Sequence, residues 1–246
     1  MTEMTLDGSA GTPPPKSLTN VSVFKEIIEH RRSIRIYDGT PMPAAMMKEC
    51  LEEAILAPSS SNLQVYELYW VKDPEKKKLL AQACMGQPAA TTAGDLVVIA
   101  ARHDLWKVHL QKLIKKMTSD GKELPKGAQN YYLKLLPRLY LNDPFGIANL
   151  TRKAFFSLVG LTKPVVRTPV NEGDHRIFGH IQASLVAQTL MLAISARGYD
   201  SCPMGGFDEK RVKKIIGLPH KAEVTMVISA GTRKPEGLYG PRIRLE

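Results

Sequence analysis

The sequence has few cysteines and none of the short motifs that most often carry catalysis. Its three cysteines, Cys50, Cys84 and Cys202, are odd in number and show no CxxC spacing, which argues against a disulfide framework and a zinc knuckle. The chain also lacks the GxGxxG, GxxxxGKS/T, HExxH and GxSxG patterns, so the common dinucleotide, P-loop, zincin and hydrolase signatures are absent. A reducing cytoplasm is the expected compartment.

Long hydrophobic runs are missing as well. Residues 1–20 show no apolar run behind a basic start, and we expect a flexible tail there rather than a secretory signal. The most apolar stretches are short or interrupted by polar residues, so we expect no transmembrane segment. No internal repeat or linker divides the remainder, which predicts one domain over residues 21–246.

Aromatic residues are scarce, whereas positive charge is abundant. Lys and Arg number 34 against 24 Asp and Glu, a net charge of +10 that attracts anionic partners. A basic nucleic-acid or anion-binding protein is therefore one alternative. With 7% aromatic residues and no recognisable nucleic-acid motif, however, the chain offers few platforms for base stacking. His175 and His180 lie five residues apart without a recognisable ligand set, so we expect no metal site.

Hydrophobic periodicity predicts both helices and strands. One helix should end near Arg31 and a second before Pro58, with strands at VYELYWV, DLVVIAA and VTMVISAG. The segment GHIQASLVAQTLMLAISARG predicts a long helix that stops at Gly198, and SCPMGGFD is interpreted as a turn into a helix capped by Asp208. This irregular alternation favours an α+β sandwich, a mixed central sheet flanked by helices.

Four polar segments share one chemical character. They are HRRSIRIYD at the end of the first helix, PSSSNLQ, PMGG and the terminal PRIR. Arginine forks suit phosphate or carboxylate, and glycine lets a flat ligand approach the main chain closely. Each segment also has an ordinary alternative: a solvated basic turn, a Ser/Asn turn, a helix entry turn and a basic tail. Together they describe a site for a flat, hydrogen-bonding, phosphorylated molecule.

The ordered segments HRRSIRIYD, APSSSNLQ, CPMGGFD and GPRIR resemble the nitroreductase family of FMN-dependent oxidoreductases, over residues 22–104 and 176–246. The resemblance implies an α+β homodimer with FMN at the subunit interface. It also implies hydride transfer from NADH or NADPH to nitroaromatics, quinones or another small-molecule acceptor, without a nucleic-acid or membrane partner. A flavin-dependent dehalogenase, a heterocycle oxidase or a flavin-fragmenting enzyme remains an alternative on the same fold.

The resemblance also implies which residues contact FMN. No catalytic side chain is expected, because the hydride is received by the flavin itself. The first motif would hold the phosphate, the ribityl chain and the polar edge of the ring, and the terminal pair would close on the same phosphate. The serine loop would reach the flavin of the other subunit, the glycine turn would lie against the ring, and Gln87 would contact the ribityl chain or the ring. These residues are Arg31, Arg32, Ser33, Arg35, Pro58, Ser59, Ser60, Asn62, Gln87, Pro203, Met204, Gly205, Gly206, Arg242 and Arg244.

Residues from about 105 to 168 fall outside the resemblance. They are rich in Lys, Leu and Tyr and are interrupted by prolines, which predicts an irregular helical insertion. We expect it to fold over the flavin as a lid that sets acceptor choice, and to be replaceable by a short connector without loss of FMN binding. Some of its aromatic residues should line the acceptor pocket: Trp106, Tyr131, Tyr132, Tyr140, Phe145 and Phe155.

Overall fold

The computed structural model describes residues 20–119, 121–140, 147–169 and 171–245. The predicted tail, residues 1–20, lies outside this part of the chain apart from Asn20, and so does Phe145. Two compact units divide the chain. One holds a sheet and comprises residues 19–59, 66–102 and 180–246; the other comprises residues 1–18, 60–65 and 103–179. We call them the sheet unit and the insertion unit.

The sheet unit is built on four strands: β1 Tyr66–Trp70, β2 Asp95–Ala101, β3 Asp200–Met204 and β4 Glu223–Gly231. They lie in the order β1-β2-β4-β3, and every neighbouring pair is antiparallel. The register places Leu68 opposite Ile99 and Val98 opposite Val227. The sequence predicted a sheet with both parallel and antiparallel pairing. Within the described residues, the parallel pairing is confined to a single bridge between Ser33 and Ser201.

Local sequence signals mark the ends of two helices of the sheet unit. Asp73 caps α3 (Pro74–Ala83) by accepting a hydrogen bond of 2.7 Å from the Lys76 amide, and Asp208 caps α10 (Glu209–Ile216) by accepting one from the Arg211 amide. Gly217 ends α10 in the left-handed conformation that glycine adopts without a steric penalty. The helices are α1 Val21–His30, α2 Ala44–Ala54, α3 Pro74–Ala83, α4 Pro88–Thr91, α9 Glu172–Ala196 and α10 Glu209–Ile216.

Both faces of the sheet are buried. On one face Leu96 and Val98 pack with Leu80 of α3 and Val212 of α10. The opposite face packs against α2 and the part of α9 that follows Gly179. Burial of apolar side chains on two faces confirms the sandwich, and it explains why β2 has no polar side chain after Asp95.

Helix α9 is long and apolar enough to cross a membrane by length and composition alone. About half of its most apolar stretch is nevertheless buried inside the fold. Val186, Leu190 and Ile194 follow one another at helical spacing and pack onto the sheet through Ile228 and its neighbours. Helix α9 is thus a core helix of the sheet unit.

The insertion unit has a small core of its own. Leu110 of α5 and two residues from α7, Leu136 and Tyr140, pack with Leu63 and Val65, which precede β1 in the chain. Leu63 and Val65 are each only 1% exposed. The helical pieces are α5 Trp106–Met117, α6 Lys126–Gln129, a π-helical segment Asn130–Leu135, α7 Leu136–Tyr140 and α8 Ile147–Val159. The insertion therefore shares its core with residues 60–65, and it is not a detachable addition.

Two sequence-based boundaries are wrong. The segment SCPMGGFD is not a turn throughout, because its first residues form β3, including Pro203 and Met204. Proline has no N–H to donate, but β3 is the last strand of the sheet, a position where proline is tolerated. The long helix also begins at Glu172, well before the predicted Gly179.

Candidate functional site

The fold brings the first and last basic motifs together around one cavity. The cavity has a volume of about 350 Å³ and lies in the sheet unit. Its lining combines residues that follow α1 with residues that follow β4, more than 190 positions later in the chain. They are Arg31, Arg32, Ser33, Arg35, Leu238, Tyr239, Gly240, Pro241, Arg242, Ile243 and Arg244.

Arg242 ties the end of the chain to the end of α1. Its Nη2 donates to the carbonyl oxygens of Ile28, Glu29 and Arg31, at 3.0, 3.1 and 2.6 Å. These are among the last carbonyls of the helix, which have no partner inside the helix and carry its negative dipole end. Arg242 therefore caps α1 and fixes the backbone from which Arg31 extends.

A second set of hydrogen bonds holds the same end of α1. Arg233 pairs with buried Asp200 and also donates to His30 Nε2, at 3.1 Å. Since this ring nitrogen accepts, the proton of a neutral His30 lies on Nδ1, which donates to Ser195 Oγ at 3.0 Å. The Ser195 hydroxyl in turn donates to the Ile27 carbonyl, at 2.8 Å. The basic motif is thus anchored to both α9 and the sheet.

The cavity is strongly and uniformly positive. Burial lowers the pKa of Arg31, and Arg242, Arg244 and Arg32 lower it further by charge repulsion. None of the described residues that line the cavity is acidic, and within the described ranges the Arg31 guanidinium has no hydrogen bond or ion pair. Like charges held together without a carboxylate form a site that a bound anion would stabilise.

The other arginines of the cavity have partners. Arg32 donates to the Gly240 carbonyl, Arg244 donates to the Ile243 carbonyl at 2.7 Å, and Arg35 lies over the Tyr239 ring, 5.1 Å from its centroid. The bond of Arg32 and the ring contact of Arg35 hold the terminal segment against the first motif, whereas the bond of Arg244 lies within the terminal segment. Each guanidinium keeps further N–H groups.

The predicted glycine turn follows directly on the strand beside the cavity. The Ile34 amide donates to the Ser201 carbonyl, at 3.3 Å, so β3 runs next to the first motif and Gly205 follows it. A side chain built at Gly205 would meet no atom within 4 Å, which leaves open space above this backbone. Gln87 Nε2 donates to the carbonyls of Cys84 and Gly206, at 3.0 and 3.1 Å, and thereby fixes the turn. Pro203 and Met204 belong to β3, as noted above.

The predicted serine loop is divided between the two units. Pro58 and Ser59 belong to the sheet unit, whereas Ser60 and Asn62 belong to the insertion unit. Ser60 and Asn62 are exposed, while Leu63 is buried. Ser61, Asn62 and Gln64 all have left-handed backbones, with φ of 54°, 52° and 50°. Each such residue costs about 1–3 kcal/mol and persists only where its surroundings hold it.

Most of the aromatic residues proposed for the acceptor pocket contact one another. Tyr140 is buried and stacks on His175, with ring centroids 4.3 Å apart, and it also contacts Trp106. Tyr131 and Tyr132 meet edge to face. These rings contribute to the core of the insertion unit, whereas Phe155 is exposed. Whether any of them lines an acceptor pocket stays a prediction.

The histidine pair forms no metal centre in the described part of the chain. No group of three potential ligand side chains occurs among those residues. His180 instead contacts Thr225 through Nδ1 and Glu223 through Nε2, each at 2.9 Å.

Sequence reasoning missed Tyr239, Gly240 and the His30–Arg233 contact. Tyr239 was recognisable as an aromatic residue three positions before a predicted phosphate ligand. The contacts of His30, by contrast, join positions far apart in the sequence, and no local pattern indicates them.

Comparison with known proteins places the chain in a family. The Nitroreductase family pattern matches residues 28–232. This range includes the first motif, the serine loop and the glycine turn, but not Arg242 and Arg244. The chain is 28% identical over 217 residues to an NADH dehydrogenase of Thermus thermophilus, covering 88% of this chain and 89% of the relative. It is also 28% identical to Bacillus subtilis YdgI, which is named for NAD(P)H nitroreductases, with 91% and 94% of the two chains covered.

Solved structures agree with this placement. A protein from Exiguobacterium sibiricum, described as a nitroreductase in complex with FMN, matches at a TM-score of 0.63 and 25% identity, over 91% of this chain and 93% of that one. The Bacillus subtilis protein ydfN matches at a TM-score of 0.68 and 25% identity, over 92% of this chain and 95% of that one. The chain belongs to the nitroreductase family and is an oxidoreductase.

Proposed function

We propose that this protein is an FMN-dependent oxidoreductase that takes a hydride from NADH or NADPH and passes it to a nitroaromatic, quinone or related acceptor. One observation carries the proposal: the cavity in which arginines from the two ends of the domain converge without a carboxylate. The relatives named for NAD(P)H nitroreductases and the FMN-bound neighbour support the choice of cofactor and donor.

The residues present fit FMN. Its phosphate is a dianion, and each charge-assisted hydrogen bond to it contributes about 1.5–3 kcal/mol. Arg31 has no competing partner in the described structure, and the space above Gly205 could accept a flat ring. Riboflavin, which lacks the phosphate, would leave the positive cavity uncompensated. We therefore expect FMN to be bound in preference to riboflavin.

Each group has a definite task in this proposal. Arg31, Arg35 and Arg244 bind the phosphate, and Arg242 holds the backbone of Arg31 in place. Gln87 keeps the glycine turn in one orientation, so that its backbone is presented to the ring. When bound, FMN supplies the hydride chemistry, and the protein is then not required to provide a general acid or base.

A titration with matched variants tests the proposal. We expect FMN to bind the apoprotein with quenching of flavin fluorescence, and to bind Arg31→Ala more weakly. Lys78→Ala removes the same charge from an exposed position on α3 and serves as the control, which should bind as the wild type does. Reduction of the bound flavin by NADH or NADPH would complete the test. Failure of the wild type to bind FMN would refute the proposal. A colourless protein that retains nucleic acid would favour the alternative function, a basic nucleic-acid or anion-binding protein.

We further propose a homodimer in which residues 58–62 of one copy complete the flavin site of the other. Large apolar side chains on the surface of the sheet unit support it. Ile181 and Leu185 lie one turn apart on α9 and are 52% and 42% exposed, and Leu56, which follows α2, is 79% exposed. Phe24 on α1 is also exposed. Such side chains are common at subunit interfaces.

The oligomeric state can be measured by light scattering after gel filtration. We expect a dimer for the wild type and a shift to monomer for Ile181→Glu/Leu185→Glu. Leu185→Glu alone should weaken the dimer, whereas Leu79→Glu places the same single charge at a similarly exposed leucine of α3 and should leave the dimer intact. A wild-type monomer that binds FMN tightly would contradict the shared site.

Acceptor choice separates the proposed activity from its alternatives. Reduced enzyme should be reoxidised by nitroaromatics and quinones faster than by halogenated aromatics. A reversed order would favour a dehalogenase, and a reduced heterocycle that reduces the flavin would favour a heterocycle oxidase. The three buried cysteines, all free thiols, fit the proposed cytoplasmic location.

A further inference from the structure

The strained loop before β1 is held by two side chains of the insertion. Tyr131, in the π-helical segment, has its hydroxyl 2.6 Å from Ser61 Oγ. His109 of α5 has Nδ1 at 2.9 Å from the Leu63 carbonyl and 3.1 Å from the Gln64 carbonyl. Both partners of this nitrogen are acceptors, so His109 donates through Nδ1–H.

These contacts fall where the backbone is least favourable. Ser61 and Gln64 are left-handed, a conformation that a residue with a side chain rarely adopts without support. Burial of Leu63 and Val65 in the same core supplies the rest of that support. The loop thus alternates, with Ser61, Leu63 and Val65 turned toward the core of the insertion unit, and Ser60, Asn62 and Gln64 exposed. Of the residues proposed to contact flavin, Ser60 and Asn62 lie in this stretch and are exposed.

We propose that Tyr131 and His109 are positioning residues for the flavin-contacting loop. By holding Ser61 and the Leu63–Gln64 carbonyls, they keep the backbone left-handed and so keep Ser60 and Asn62 presented outward. The insertion then acts on the cofactor through the loop, in addition to any role as a lid. The part of this inference that concerns flavin rests on the proposed function, whereas the part that concerns the loop does not.

Hydrogen exchange of the apoprotein tests the loop alone. Tyr131→Phe should speed amide exchange across residues 60–65, because it removes the partner of Ser61. Tyr132→Phe removes a hydroxyl from the adjacent tyrosine of the same segment and is the matched control. Equal exchange in the two variants would overturn the proposal, whether or not the protein binds FMN.

Substitutions at Ser61 separate positioning from direct ligand contact. Ser61→Ala loses the hydrogen bond and keeps the strained backbone, whereas Ser61→Gly loses the hydrogen bond and relieves the strain. We expect Tyr131→Phe and Ser61→Ala each to raise the Kd for FMN about 3- to 10-fold, without additivity in the double variant. Ser61→Gly should restore part of the affinity, and Tyr131→Phe should then have little further effect.

The outcomes distinguish the two proposals. If the wild type does not bind FMN, the proposed function fails, and the exchange experiment still decides the role of Tyr131. If the wild type binds FMN and Ser61→Gly is as weak as Ser61→Ala, the serine hydroxyl itself contacts the ligand. If FMN affinity is unchanged in Tyr131→Phe, the contact of this residue with the loop does not position the loop for flavin. Either of the last two results overturns the inference.

Discussion

Arg31→Ala should have opposite effects on the free protein and on the complex. In the free protein Arg31 belongs to a cluster of arginines with no carboxylate among the described lining residues, and its lowered pKa reflects burial and repulsion from Arg242, Arg244 and Arg32. Removing it relieves that repulsion without breaking a hydrogen bond found in the described structure. We expect the free energy of unfolding of the apoprotein to stay level or rise, on the order of 0.5 kcal/mol.

In the complex the same substitution removes a charge-assisted bond. A loss of about 1.5–3 kcal/mol corresponds to an increase in the Kd for FMN of about 10- to 150-fold. Arg31→Lys should recover part of this loss, because the point charge remains while the planar fork is lost. Fluorescence titration at several salt concentrations would show a shallower salt dependence for Arg31→Ala than for the wild type.

Arg242→Ala is the comparison that makes the test decisive. It removes three bonds to the end of α1 and should destabilise even the apoprotein, by about 1–2 kcal/mol. Thermal and urea unfolding of both apoprotein variants would show the difference. If Arg31→Ala loses as much apoprotein stability as Arg242→Ala, Arg31 is a structural residue, and an unchanged Kd would show that it does not bind the phosphate.

Three further substitutions have distinct expected results. Gly206→Val should slow flavin reduction in stopped-flow traces with little loss of stability, since the added Cβ meets only Gln87 Nε2, 4.0 Å away; a normal rate would make the turn purely structural. Asp95→Asn should cost about 1–3 kcal/mol of stability at unchanged FMN affinity, because the buried carboxylate accepts from the Met42 amide and Trp70 Nε1. Replacing residues 105–168 with a connector should expose Leu63 and Val65 and cost about 3–6 kcal/mol, measured by urea unfolding, and an unaffected midpoint would contradict the shared core.

The stability expected to be lost with the insertion was not evident from the sequence, and the reason is physical. Prolines and lysines identify an irregular insertion, but they do not indicate which core it completes. That information lies in the partners of Leu63 and Val65, which come from residues more than forty positions away. Whether the insertion can be removed without loss of stability depends on such contacts, and a local sequence pattern does not indicate them.

Elements with local determinants were predictable. Asp208 acts as a helix cap where the sequence placed it, and the apolar run of β2 forms the predicted strand. The clustering of five arginines into one cavity followed from the family resemblance, since composition alone allowed a solvated basic turn. Strand β3 was not predictable in the same way, because Pro203 disfavours a strand unless the strand lies at the edge of the sheet.

The bond between Arg242 and the Arg31 carbonyl spans 211 residues, and this separation affects how the enzyme is made. During synthesis, α1 emerges from the ribosome long before Arg242. The last carbonyls of α1 are therefore hydrated until Arg242 can cap them. The cavity proposed for the phosphate then forms late, since contacts between distant residues are slow to close. Proteolytic clipping between β4 and Arg242 would remove the proposed cofactor site from an otherwise folded sheet. Newly made protein should therefore acquire its flavin only after Arg242 has been made, and a clipped chain would stay colourless.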